Sequence, residues 1–384
     1  MNNRKLRVAI TQGDTNGVGY ELIFKTFAEQ EMLELCTPII YGSPKVATYH
    51  RKALDMQASF SIISDAADAA DGKVNLLTCF EEEVKVELGT PTAESGSAAR
   101  KALDRALDDW DKGVYDVLVT APVNAATMAA EGETAWRLAD YLEERMARKG
   151  QSLSVMLNEA LRVAVVTSGM DMKAVSDALT GDFVSEKAKA MFRSLKRDFR
   201  ISNPRMAVLA LNPDANGEEE VNVLKPAVEQ LVEQGTYVFG PFKAEELFGT
   251  DQYDAFDGIL AMYHDQGAIP FRTLVHGDGI RYVANLPVVC TTTVGDAQFG
   301  IAGKGEADEM SFRHAIYTAM DIFRNRETYD EPYANPLPKL YHEKRDESEK
   351  VRFSIPKKHE NAIRERQHPG PAKAHVEKDK EAQA

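Results

Sequence analysis

Leu260-Ala261-Met262-Tyr263-His264-Asp265-Gln266-Gly267 is the stretch that decides the fold. The apolar run 259–262 has the length and composition of a buried strand. It ends in an imidazole, a carboxylate and an amide, followed by a glycine at which the chain can turn. Open α/β sheets bind ligands beyond the carboxyl ends of their strands, and imidazole is the commonest protein metal ligand. The same residues also suit a plain strand-end turn with a hydrogen-bonded histidine. The rest of the chain has to separate these readings.

Working outward, strand-like runs recur at 6–11, 38–42, 74–77, 116–120, 161–167, 206–211, 237–239 and 286–291. Helical patterns lie between them, at about 20–30, 95–111, 131–148, 185–199, 219–234 and 311–324. Asp171 is placed to cap another helix, and Pro226 is placed to kink one. In 95–111, Ala99, Leu103, Ala106, Leu107 and Trp110 form a single stripe. Strands alternating with helices predict a mostly parallel α/β sheet system. The turn Gln12-Gly13-Asp14-Thr15-Asn16-Gly17-Val18-Gly19, between a strand and a helix, suggests a phosphate cradle. Its glycine spacing matches neither the dinucleotide fingerprint nor a P-loop, and a tight βα turn explains it nearly as well.

With 384 residues the chain has room for two domains and an appendage. Cys36, Cys79 and Cys290 are too scattered for a zinc pattern or a disulfide framework. With no signal peptide or membrane-length apolar run, a cytoplasmic protein is expected. The net charge is −14. Residues 331–384 hold 12 Lys and Arg against 10 Asp and Glu, leaving 34 against 50, a net −16, on the rest. So acidic a body disfavours a nucleic-acid partner. Beyond residue 370 almost no large apolar side chains remain, and that part is expected to stay disordered.

Five motifs now stand in order: Thr11-Gln12-Gly13-Asp14 with Gly17-Val18-Gly19, Val119-Thr120-Ala121-Pro122-Val123-Asn124, Leu211-Asn212-Pro213, Met262 to Gly267, and Ile301-Ala302-Gly303-Lys304-Gly305. Together they resemble the 4-hydroxythreonine-4-phosphate dehydrogenase family of vitamin B6 biosynthesis, over about residues 5–324. The resemblance implies two α/β/α domains with a cleft between them, like isocitrate and isopropylmalate dehydrogenases. It places the domains at 1–125 plus 290–330 and at 126–289, with 331–384 as a charged tail, in a homodimer. It also implies NAD or NADP, a divalent metal (Zn, Mg or Mn) held by three histidines from both subunits, and oxidation of a secondary alcohol followed by decarboxylation. The metal would stabilise developing charge on the alcohol oxygen.

At the matching positions this chain departs from the family. The first metal histidine is Gly169, the second is Asp214 and the third is kept as His264. Only His50, His264, His276 and His314 precede the tail. Two substrate-touching residues become Leu138 and Ala139. A lysine becomes Arg272, an asparagine Arg281 and an arginine Cys290. The cofactor loop reads Gly295-Asp296-Ala297-Gln298, while Gly303, Lys304 and Gly305 survive. Asp214 and His264 remain as metal ligands, with Asp214 equally suited to a turn. Arg272 and Arg281 could clamp the phosphate of a small substrate or another anion, or be ordinary surface arginines. Cys290 suits a small buried hydrophobe better than a nucleophile. Two functions follow: a dehydrogenase of this family, or a catalytically silent homologue binding a small anion or a partner protein.

Overall fold

On the first strand, β1 (Leu6–Thr11), Val8 and Ile10 face one side and Ala9 the other, and each side meets its own helices. That alternation runs through the whole architecture of the computed structural model, which describes residues 4–129 and 136–335. Eleven further strands follow: β2 (Cys36–Gly42), β3 (Ser61–Ile63), β4 (Asn75–Thr78), β5 (Val117–Thr120), β6 (Leu153–Leu157), β7 (Arg162–Val165), β8 (Met206–Leu209), β9 (Val238–Phe242), β10 (Gly258–Ala261), β11 (Ile280–Ala284) and β12 (Cys290–Thr293). All twelve join one sheet in the order β3-β4-β2-β1-β5-β12-β11-β6-β7-β10-β8-β9.

The fold is α/β with a large mixed sheet. It is parallel toward both edges, but β11 is antiparallel to β12 and β6, and β6 to β7. The expected mostly parallel sheet is thus interrupted at its centre. The interruption comes from β6 and β11, which the apolar pattern did not reveal; nor did it reveal the short β3. In β11 an arginine, Arg281, stands between Ile280 and Tyr282 and breaks the apolar run.

One face carries the helices Gly19–Thr26, Gly181–Arg197, Lys225–Glu233 and Met310–Ala334, which share a core with Val8, Ile10, Tyr282 and Leu260. The other face is covered in two places. The helix Ala93–Asp111 packs on Ala9, Tyr41 and Leu118, and the helix His264–Leu274 on Val163, Val165 and Ile259. The first is started by a capping box in which Thr92 Oγ1 accepts from Ser95 N at 3.1 Å. Between these two covers the central strands are left open, and there the cleft lies.

Several local expectations need correction. His264 begins a helix of 11 residues rather than a free turn. Gly267 sits inside it, buried, where a Cβ would come 2.9 Å from Val163 Cγ1, so its smallness lets the helix approach the sheet. The helix expected at 219–234 ends at Glu233 and is irregular where Pro226 is placed to disturb it: a π turn, Glu220–Leu224, runs directly into Lys225–Glu233. Asp171 precedes the helix Met172–Ala178 but makes no capping bond. The strand expected at 286–291 begins only at Cys290. The last helix continues ten residues past Arg324, because Arg326 is buried against the body. The helix expected at 131–148 is seen as Leu138–Arg145, with 131–135 outside the described residues, as is the tail from 336. No helix among the described residues is long and apolar enough to cross a membrane.

Candidate functional site: an arginine-lined cleft

The uncovered centre of the sheet is a cleft of about 1240 Å³, lined by the ends of β5 and β12, one face of β6 and β11, and the segments after β7 and β10. His264, Arg272 and Arg281 all line it, as do Leu138 and Ala139. Asp214, Gly303, Lys304 and Gly305 do not.

His264 is half exposed, and its Nδ1 lies 2.9 Å from Asp265 Oδ1. The amide of the same motif has a different task. Gln266 Oε1 accepts from Met262 N at 2.7 Å, and its Nε2 donates to Ala210 O at 2.5 Å, tying the ends of β10 and β8 together. In the Asn212-Pro213-Asp214 turn the buried Glu220 is the anchor. Its Oε1 accepts from Leu211 N at 2.7 Å and Asn212 N at 2.8 Å. Asp214 is exposed at the tip of that turn.

Arg281 stands on β11 with its side chain largely buried in the cleft wall. Its Nε is buried with no hydrogen-bond partner. Burial lowers the affinity of its guanidinium for the proton, and neighbouring Arg272 pushes the same way; no carboxylate opposes them. Arg272 donates from Nη2 to Val294 O at 2.6 Å. At another corner two charges are satisfied by the same stretch of main chain. Lys187, buried, donates to Gly150 O at 3.0 Å and Ser152 O at 2.6 Å, and Glu143 accepts from Gly150 N and Ser152 N.

The metal implied by the family resemblance does not fit these residues. Gly169 offers no donor, and a Cβ built on it would overlap Arg137 Nε, so a guanidinium already fills the space. Among the described residues, no three His, Cys, Asp or Glu side chains gather as a metal-holding group. A dinucleotide is no better served. In the glycine-rich turn, Asp14 N donates to Pro122 O, Gly17 N to Asp14 O and Val18 N to Ala297 O, so these N–H groups are spent within the fold. The surviving glycines are used in packing: Gly303 lies against Leu88, and Gly305 O accepts from Lys25 Nζ at 2.9 Å. Lys304 Nζ donates to Gly300 O at 2.7 Å. The loop 295–298 places Asp296 in the cleft lining. Cys290 is fully buried, and burial pushes its thiol far above the range of a nucleophile. Arg137 is not among the site residues that the sequence reading singles out.

Fold and cleft together define a class: an α/β protein with a cleft at the centre of a mixed twelve-stranded sheet. The chain belongs to the family described as pyridoxal phosphate biosynthetic protein PdxA, which its residues 34–319 match. It is 47% identical to the 4-hydroxythreonine-4-phosphate dehydrogenase of Bacteroides thetaiotaomicron, over 92% of this chain and 98% of that one. The enzyme of the same name from Prosthecochloris aestuarii is 32% identical over 83% and 97%. The crystal structure of 4-hydroxythreonine-4-phosphate dehydrogenase from Klebsiella pneumoniae superposes with a TM-score of 0.70 at 26% identity, covering 84% of this chain and 99% of that one.

Proposed function

We propose that this chain is a PdxA-family protein whose cleft binds a small phosphorylated or similarly anionic molecule through Arg272 and Arg281, and that it does not oxidise 4-hydroxythreonine-4-phosphate. One observation carries the first half. Arg281 is a desolvated guanidinium with a bare Nε, beside a second guanidinium and without a carboxylate. A buried charge left unpaired is costly, and an anion in the cleft removes that cost with charge-assisted, bidentate bonds.

The second half rests on the lost chemistry. Oxidation of a secondary alcohol needs charge stabilised at the alcohol oxygen, and losing one such donor typically costs about 10²–10³ in rate. Here the residues fit neither the metal nor the dinucleotide, and Leu138 and Ala139 give the substrate no polar contact. The expected result, with saturating 4-hydroxythreonine-4-phosphate, NAD or NADP and added Mg²⁺, Mn²⁺ or Zn²⁺, is no reduced nicotinamide by absorbance. Turnover of about 1 s⁻¹ or more, ordinary for an enzyme, would overturn this half. Calorimetry with inorganic phosphate tests the other half: wild type binds, and Arg281→Ala does not.

A homodimer is part of the same reading. Met170, Met172, Ile269 and Leu274, exposed on the segments that border the cleft, support it. Sedimentation of the full chain checks it.

A further inference from the structure

Arg137 and Gly169 are 32 residues apart and in contact. Arg137 stands at the N-cap of the helix Leu138–Arg145, where no side-chain capping bond forms. Its side chain instead crosses to the segment after β7. There Nη2 donates to the Gly169 carbonyl, and Nη1 donates to Asp140 Oδ2 at 3.1 Å. Gly169 has φ +76°, a backbone conformation costly for residues with a side chain. Its missing Cβ leaves the room that Arg137 Nε, Cζ and Cδ occupy. The two residues form one unit, because any side chain at 169 would have to evict the guanidinium.

The unit lines the cleft. Of the five N–H groups of a guanidinium, two are engaged. The pairing with Asp140 is a weak hold, since Asp140 is 64% exposed and surface pairs of this kind are worth little. β7 and β10 are parallel neighbours, and Thr167 N donates to Met262 O. Gly169 therefore lies near the start of the helix His264–Leu274. Arg272 is eight residues further along that helix, about 12 Å at 1.5 Å per residue. The cleft thus has one cation near the beginning of this helix and a second pair, Arg272 with Arg281, toward its end.

We propose that Arg137, seated on Gly169, is a built-in replacement for a divalent ion: a fixed positive charge that receives an anionic oxygen of the bound molecule and makes its binding independent of metal. This rests on the anion-binding reading above. It adds that the ligand is gripped at two separated points, and that a metal cation, repelled by the resident guanidinium, gives no help.

The test is calorimetry on the full chain with two probes. Inorganic phosphate can occupy one point; 3-phosphoglycerate, with a phosphate and a carboxylate, can reach both. Each is titrated with EDTA, then with Mg²⁺ or Mn²⁺. The wild type is expected to hold 3-phosphoglycerate at least about tenfold more tightly than phosphate, a charge-assisted contact's worth, with no gain from metal. Arg137→Ala is expected to remove that advantage and leave phosphate binding within about threefold. Arg137→Lys, which keeps the charge but not the fork, should fall between. Thermal melts confirm that each variant folds. If neither probe binds the wild type, the anion-binding reading falls and this inference with it. If both bind but Arg137→Ala changes nothing, or weakens both equally, or if metal tightens wild-type binding tenfold, the inference alone is overturned.

Discussion

Strand β11 carries two neighbouring residues with opposite fates. Tyr282 faces a buried cluster in which every charge is answered. Arg326 Nε donates to Asp198 Oδ1 at 2.7 Å, its Nη2 to Tyr282 Oη at 2.6 Å, and its Nη1 to Leu286 O and Pro287 O at 2.9 and 3.0 Å. Tyr282 and Ser194 both donate to Asp198 Oδ2. Arg281, one residue back, lines the cleft, and its buried Nε has no partner. The same residue type is a finished part of the fold on one side of the sheet and an unfinished one on the other. What separates structure from site is whether the chain supplies the counter-charge.

The strongest way to break this contrast is Arg326→Ala. It leaves the carboxylate of Asp198, 3% exposed, without its cation. Unfolding in urea should show a loss of about 3–5 kcal/mol, the usual result when one partner of a buried pair is removed. A loss below about 1 kcal/mol, the surface-pair range, would mean the cluster is not closed.

Arg281→Met should have the opposite sign. Removing a desolvated charge that has no protein partner should stabilise the fold by about 1–3 kcal/mol while phosphate binding disappears. Destabilisation would show that Arg281 belongs to the fold after all, and the contrast would collapse.

The smallest expected effect sharpens the rule with a neutral buried group. His50 is 1% exposed, with Nε2 2.7 Å from Thr15 O. Burial lowers its pKa from 6.5, partly offset by the Thr15 bond and by Glu21. Below about pH 6.5 the unfolded chain takes up a proton that the folded one refuses, so stability falls as pH drops from there toward the lower folded value. In urea titrations His50→Gln should lack that increment of slope. An unchanged slope would mean the imidazole is charged inside the fold.

How much of this was legible in the sequence depends on range. Apolar strands such as β1, β5 and β10, and the capped helix Ala93–Asp111, announce themselves through local pattern. The helix His264–Leu274 does not, because Gly267 and Pro270 argue against a helix, and the glycine is explained only by its packing on Val163 and Val165. β6 and β11 pair with each other across more than a hundred residues, although each also pairs antiparallel with the strand that follows it, β7 and β12. Composition changes near residue 325 and suggests that the last helix ends there, whereas Arg326, held by Asp198, carries it on to Ala334. In the cleft, His264 stands out at a strand end, whereas Arg272 and Arg281 come only from matching the chain to the family's positions. Arg137 is harder to see: the lost histidine at Gly169 is visible in the sequence, but not that a guanidinium from 32 residues away fills the space it leaves.

The glycine-rich turn has a consequence of another kind. A Cβ on Gly17 would come 2.5 Å from Ala297 O, the same oxygen that accepts from Val18 N. The turn is the seat of the loop 295–298, so its glycines are demanded by shape whatever the cleft contains. A chain can exchange its whole set of reactive groups and still be obliged to spell that motif. Pattern searches keyed to Gly13, Gly17 and Gly19 therefore detect an architecture, and a chemistry assigned from them alone would be assigned equally to enzymes and to descendants that have stopped being enzymes.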